Sequence, residues 1–206
     1  MYGKRKCKHC KDEFEKKQPL QSVCSPYCGI QRTLELKKKK ESKDWKKEKK
    51  VIKEKLKSHS DYEKELQALI NQIANLIDNN HNCMSCSGNG KVNAGHYHSV
   101  GSNNSIRFNL FNIWRQCYRC NVQLSANIIG YDNGLISYLG KSKWEYIKFD
   151  LVRLHPFIKL SKEELDEKKA IARGIIKYLK LQDRTFTREE RISLRERFNT
   201  ELSIYK

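Results

Sequence analysis

No stretch of the 206 residues approaches the roughly 20 consecutive apolar side chains that a membrane span requires. No signal peptide opens the chain, so it is expected to be soluble and cytoplasmic. Glycine-rich phosphate loops and nucleophile elbows are absent, which removes nucleotide hydrolysis and acyl transfer from consideration. There is no internal repeat. Hydrophobic residues make up only 38% against 32% charged, so a large single core is not expected. Acidic residues are missing where the other signals are densest: none lies between Ser87 and Tyr131.

What the chain has in excess is positive charge. A formal net charge of +18 and a pI near 9.6 favour a polyanionic partner, nucleic acid first. Residues 1–57 hold 20 Lys and Arg against 8 Asp and Glu, a net +12. Lys37, Lys38, Lys39 and Lys40 form its densest run. The stretch reads either as a solvated helix or linker, or as a non-specific phosphate clamp whose affinity would fall with salt.

Eight cysteines fall in four close pairs, which in a reducing compartment points to metal thiolates rather than disulfides. Cys83, Cys86, Cys117 and Cys120 form two CxxC knuckles suited to one structural Zn²⁺. Cys7, Cys10, Cys24 and Cys28 form a second potential zinc site, too small to fold without its metal. Pairing rests on proximity, and interleaved connectivity stays open. Between the central knuckles the alternation suggests short strands at Val92–Tyr97 and Ile106–Phe108, with a helix from near Asn121. Phe108, Phe111, Ile113 and Trp114 read as a small core, and Arg107, Arg115 and Arg119 as phosphate contacts. His98 would touch phosphate or be exposed.

The AGHY around His96, the RFN at Arg107–Asn109, the FNIWRQC ending at Cys117, the CxxCN ending at Asn121 and the later Asn127 resemble the HNH or His-Me finger nucleases. More closely, they resemble the NinG (Rap) recombination proteins of lambdoid phages. The resemblance implies an α-rich small α+β protein with a central zinc-braced ββα finger, an N-terminal zinc knuckle and flanking helices. It also implies a structure-specific endonuclease cutting branched DNA, such as a Holliday junction or D-loop, in the host cytoplasm. His96 would be the general base that activates water, Asn112 would hold the loop that orients it, and Asn121 would sit at the metal position. One Mg²⁺ or Mn²⁺ would stabilise the phosphate. The family's usual acid before the histidine is Gly95 here, and Asn93 stands where NinG relatives often carry Asp. A carboxylate from elsewhere, such as Asp132 or Asp150, would then be needed.

Four segments follow: 1–29, the first knuckle; 30–59, the Lys-rich helix or linker; 60–155, a capped helix plus the finger; 156–206, the C-terminal helices. Ser60 with Glu63 suggests a capping box opening an amphipathic helix, with Tyr62, Leu66, Leu69, Ile70, Ile73, Leu76 and Ile77 on one face. Gly130 to Gly134 reads as a turn. Helical segments are expected at 135–139, at 142–154 and from Ser161 toward Leu181, and Thr187 opens a last one with alternating charge, exposed or partner-binding. Holding two DNA arms suggests a homodimer, and phage or host recombination proteins are candidate partners. The competing reading is a non-catalytic zinc-dependent DNA-binding recombination accessory; a transcription or RNA-binding factor is a third.

Overall fold

The computed structural model describes residues 2–205, which divide into two units, one running to Lys57 and the other beginning at Ser58. In the first, β1 (Tyr2–Lys6) pairs antiparallel with β2 (Glu13–Lys16), and α1 (Pro26–Lys55) follows. Ser25 caps α1 by accepting from the Cys28 N–H, and Pro26 occupies a first-turn position that needs no donor. Thirty helical residues span about 45 Å. Only Cys28 of this helix is buried, so it has no apolar face to pack and its lysines stand in solvent.

In the second unit α2 (His59–Ile77) begins two residues earlier than Ser60 suggested. Ser58 and Asp61 form the capping box, a second S-x-x-acid pattern overlapping the first. Its apolar stripe, Leu66, Ile70, Ile73 and Ile77, is wholly buried against α6 (Lys162–Gln182) and α7 (Arg188–Leu202). Both later helices open on the anticipated capping boxes, Ser161 with Glu164 and Thr187 with Glu190. Between them and α2 lie β3 (Val92–His96), β4 (Ile113–Cys117), α3 (Ile128–Leu139), α4 (Lys141–Glu145) and α5 (Leu151–Leu154). The whole is a small helix-rich α+β protein with two two-stranded sheets. No helix among the described residues is long and apolar enough to cross a membrane.

Three expectations need correction. The second strand is β4, running from Ile113, while Ile106–Phe108 lies in a loop of 3₁₀ turns. Ile106, Phe108 and Leu110 alternate like a strand because all are buried, but side chains hold the loop's backbone. Asn109 accepts from the Phe111 N–H, Asn199 accepts from Leu110, and Tyr205 accepts from Phe108. Gly130 and Gly134 lie inside α3, where the missing side chains let the helix approach the Cys83–Cys86 knuckle. A Cβ on Gly134 would stand 1.8 Å from the Met84 carbonyl oxygen. Gly134→Ala should therefore cost about 1–3 kcal/mol, measurable by urea unfolding. Finally, α7 is not an exposed charged helix: Arg191, Arg195, Phe198 and Leu202 are all buried.

The two arginines explain why. Asp78, at the end of α2, is fully buried and receives Arg191 Nε at 3.0 Å, Arg195 at 2.8 Å and the Arg115 main-chain N–H at 2.9 Å. Arg195 also donates to the carbonyls of Leu110 and Ile113 and lies 3.7 Å over the Trp114 ring. Arg191 adds the Tyr138 hydroxyl of α3 at 2.8 Å. One carboxylate thus ties α2, β4, α3 and α7 together behind the β3–β4 hairpin. Burial alone would raise the Asp78 carboxyl, but Arg195 and Arg191 hold it below its ordinary range.

Candidate functional site

The hairpin has a cysteine end and a histidine end. Its register sets Val92 opposite Cys117 and His96 opposite Ile113, about 13 Å apart along the strand. At the cysteine end, Cys83, Cys86, Cys117 and Cys120 bring their sulfurs within 4.8 Å of one another, and Cys7, Cys10, Cys24 and Cys28 do the same in the first unit. Sulfur pairs stand at 3.4 to 3.7 Å. That is far longer than a disulfide and close to the roughly 3.8 Å edge of a tetrahedron with 2.3 Å Zn–S bonds. All eight are free thiols. Each tetrad can therefore hold a metal ion such as zinc, and the clusters are not interleaved. Burial works to raise the Cys7 thiol, yet N–H groups of Cys24, His9 and Cys10 hold it down to about 6, while at Cys10 the Asp12 N–H is outweighed by burial and the adjoining sulfurs, which push that thiol up to about 12.

His96 closes β3 and turns toward α2, half-buried. Its Nε2 lies 3.1 Å from the Arg107 carbonyl and 3.1 Å from Gln67 Nε2. The carbonyl can only accept and the Gln67 amide nitrogen can only donate, so the two contacts call for opposite tautomers and a neutral ring satisfies one of them at a time. Burial is the main cause that lowers the imidazole's pKa, keeping it neutral. Gln67 in turn donates to Asn71 and accepts from Arg107 Nε at 3.0 Å. Arg107 is thus turned inward: it also donates to Asn104 at 3.0 Å and stands 3.5 Å from Glu63. Instead of an open phosphate contact, it organises the surroundings of His96.

Asn112 is fully buried and holds the loop from both sides. Its Oδ1 accepts the His98 N–H at 2.8 Å, and its Nδ2 donates to the carbonyls of His98 and Ile106. His98 is engaged as well, with Nε2 2.9 Å from the Ile147 carbonyl. Asn121 follows the last cysteine in a single turn of π-helix at Arg119–Gln123, at the opposite end of the hairpin from His96. No hydrogen bond joins it to His96 among the described residues. Arg119 and Lys37 to Lys40 are exposed, and Arg115 is partly so.

Neither carboxylate considered for His96 reaches it. Asp132 accepts from the Tyr97 hydroxyl, from Trp144 at 2.8 Å and from Lys148 at 2.9 Å, while Asp150 pairs with Arg153 on the surface. Strand alternation is the reason: Gly95 and Tyr97 face α3, where Tyr131 donates to the Gly95 carbonyl, and His96 faces the other way. An acid at position 95 would also collide, since a Cβ there would lie 1.9 Å from Gln116 Oε1. The carboxylate nearest in the hydrogen-bonded chain is Glu63, joined through Arg107. Glu63, Gln67, Asn71 and Asn75 recur every four residues beside the apolar stripe of α2, a polar row that periodicity could have disclosed.

Comparison with known proteins gives one consistent result. The family model described as Bacteriophage Lambda NinG protein matches residues 2–182. The chain is 30% identical over 164 residues to Protein ninG of Escherichia phage lambda, covering 71% of this chain and 80% of that one. It is 31% identical over 162 residues to Protein ninG of Escherichia phage 933W, covering 71% and 81%. Against Protein ninG of Salmonella phage P22 it is 29% identical over 166 residues, covering 72% and 82%. No solved structure matches it.

Proposed function

The chain belongs to the NinG family, and from that membership we propose a DNA endonuclease of phage recombination that acts on branched DNA, with His96 as its general base. The observation that carries this reading is the half-buried, neutral imidazole of His96 at the end of β3. Burial lowers its pKa, so the ring is neutral near pH 7 and has a lone pair on one nitrogen with which to take a proton from water. Asn112 holds the adjoining loop so that the ring keeps its direction. The order β3, β4, α3, with the helix packed across the hairpin, supports a His-Me finger relationship.

The donors around His96 do not form a cation cage by themselves: amides surround it, and Glu63 already faces Arg107. A hard cation prefers anionic oxygen. In the proposed reaction Mg²⁺ or Mn²⁺ supplies charge neutralisation at the phosphate, and the nucleic acid must contribute to holding it. The same observation favours a second reading, a DNA-binding recombination accessory without catalysis. Zinc in the two tetrads, the cytoplasm of a bacterial host, recombination proteins as partners and a homodimer that holds two DNA arms belong to both readings.

Cleavage against pH separates them. If neutral His96 is the base, rate is lost as the ring protonates, and burial moves that loss below the 6.5 of a free imidazole. The acid limb of the pH–rate profile should fall below 6.5, measured where binding is saturating. A limb near 4 that persists in His96→Ala would assign the base elsewhere.

Affinity is proposed to draw on the exposed lysines of α1. Changing Lys37, Lys38, Lys39 and Lys40 to Gln should flatten the dependence of log K on log salt by up to about 0.9 per lysine. Titration by fluorescence anisotropy would read this, and an unchanged slope would remove the run from the interface.

A further inference from the structure

The segment from Tyr118 to Ile129 exposes more large apolar surface than its neighbours explain. Tyr118, Val122, Leu124, Ile128 and Ile129 are 44%, 51%, 47%, 42% and 79% exposed. The display is anchored. Ser125, Ala126 and Asn127 are three successive residues at φ of 47°, 75° and 44°, a left-handed run without a glycine. Gln116 Nε2 donates to the Ala126 carbonyl at 2.7 Å, and Asn127 Nδ2 lies 3.4 Å from the Cys120 sulfur. The strained turn is therefore fastened to the cysteine tetrad on one side and leads directly into α3 on the other.

We infer that this segment is a wedge that inserts apolar side chains among unstacked bases at the branch point of DNA. The inference rests on the reading of the chain as a protein that acts on branched DNA. Leu, Ile and Val are side chains that enter base steps, and an aromatic ring such as Tyr118 offers a face on which a base stacks. Insertion costs least where bases are already unpaired or unstacked, as at a junction. The electrostatic setting selects nucleic acid as the occupant. No carboxylate lies between Ser87 and Tyr131, and Arg119 is exposed in the same turn as Tyr118. A second copy of this +18 chain would bring like charge to the same patch, whereas phosphates flanking an inserted wedge complement it.

The test uses the zinc-loaded full chain and a four-way junction carrying 2-aminopurine at the branch point, with a matched duplex carrying the same probe. Wild type should raise the probe's fluorescence in the junction and not in the duplex. The pair Leu124→Ser and Ile129→Ser should abolish that rise and weaken junction binding about 10-fold or more, with duplex affinity within about twofold. Zinc content and circular dichroism of the variant confirm that it is folded, and Leu124→Met with Ile129→Met should restore the rise. Junction binding without a fluorescence change, or a double variant that binds and unstacks like wild type, would overturn the wedge and leave the DNA reading standing. Failure of wild type to bind either DNA would overturn both. A halved mass of the variant in sedimentation would overturn the wedge by showing the patch to be a seam between copies.

Discussion

Asp78→Asn should destabilise the unit beginning at Ser58 by about 3–5 kcal/mol, the cost of leaving a buried charge uncompensated. Two guanidinium groups, 3% and 0% exposed at the side chain, share that single carboxylate. Asparagine keeps the shape and some hydrogen bonds but removes the negative charge that both guanidiniums share. Urea unfolding of zinc-loaded protein measures the loss. Replacing Arg191 and Arg195 by Met in the same background should recover a substantial part, because the penalty lies in the stranded cations rather than in the missing pair. The pH dependence has a definite sign. The folded pKa of Asp78 is depressed, so its stabilisation is present above the unfolded value near 3.8 and is lost as pH falls through the folded one. A variant as stable as wild type would mean that the cluster does not hold the hairpin in place.

The second large effect is chemical. His96→Ala should reduce cleavage of a four-way junction by about 10²–10⁴-fold, the range a general base contributes. Zinc content and junction affinity should persist, since among the described residues the imidazole's hydrogen-bond partners are Gln67 and the Arg107 carbonyl, neither of them a cysteine ligand. Loss of zinc or of binding together with activity would make His96 a structural residue. Undiminished cleavage would remove it from the reaction.

Much of this was open to reading in the residues. The cysteine spacings suggest two tetrads, and the sulfur positions then exclude interleaving; the stripe from Leu66 to Ile77 points to α2 because a 3.6-residue periodicity is kept over about three turns. Where burial involves charge, pattern reading fails. Arg191 and Arg195 look like solvent-facing residues, and only their partner, more than a hundred positions earlier, shows that they form the core-facing side of α7. The loop before β4 imitates a strand for a related reason: Ile106, Phe108 and Leu110 alternate, but the Leu110 and Phe108 N–H groups donate to Asn199 and Tyr205 instead of to a neighbouring strand. The family resemblance implies that Asn112 holds the loop that orients His96; its hydrogen bonds run to the His98 N–H and the Ile106 carbonyl. Asp132 did not reach His96 because successive residues of β3 face opposite sides of the hairpin, a constraint that spacing alone conveys only once the strand's limits are known.

The central proposal is that this chain cuts DNA, and incubation of the zinc-loaded protein with an end-labelled four-way junction in Mg²⁺, in Mn²⁺ or in EDTA tests it most directly. The account predicts discrete nicks near the branch point in one or both metals and none in EDTA. Tight binding of the junction with no cut under any condition would contradict it, and would leave a DNA-binding protein whose His96 site lacks the carboxylate that catalysis requires.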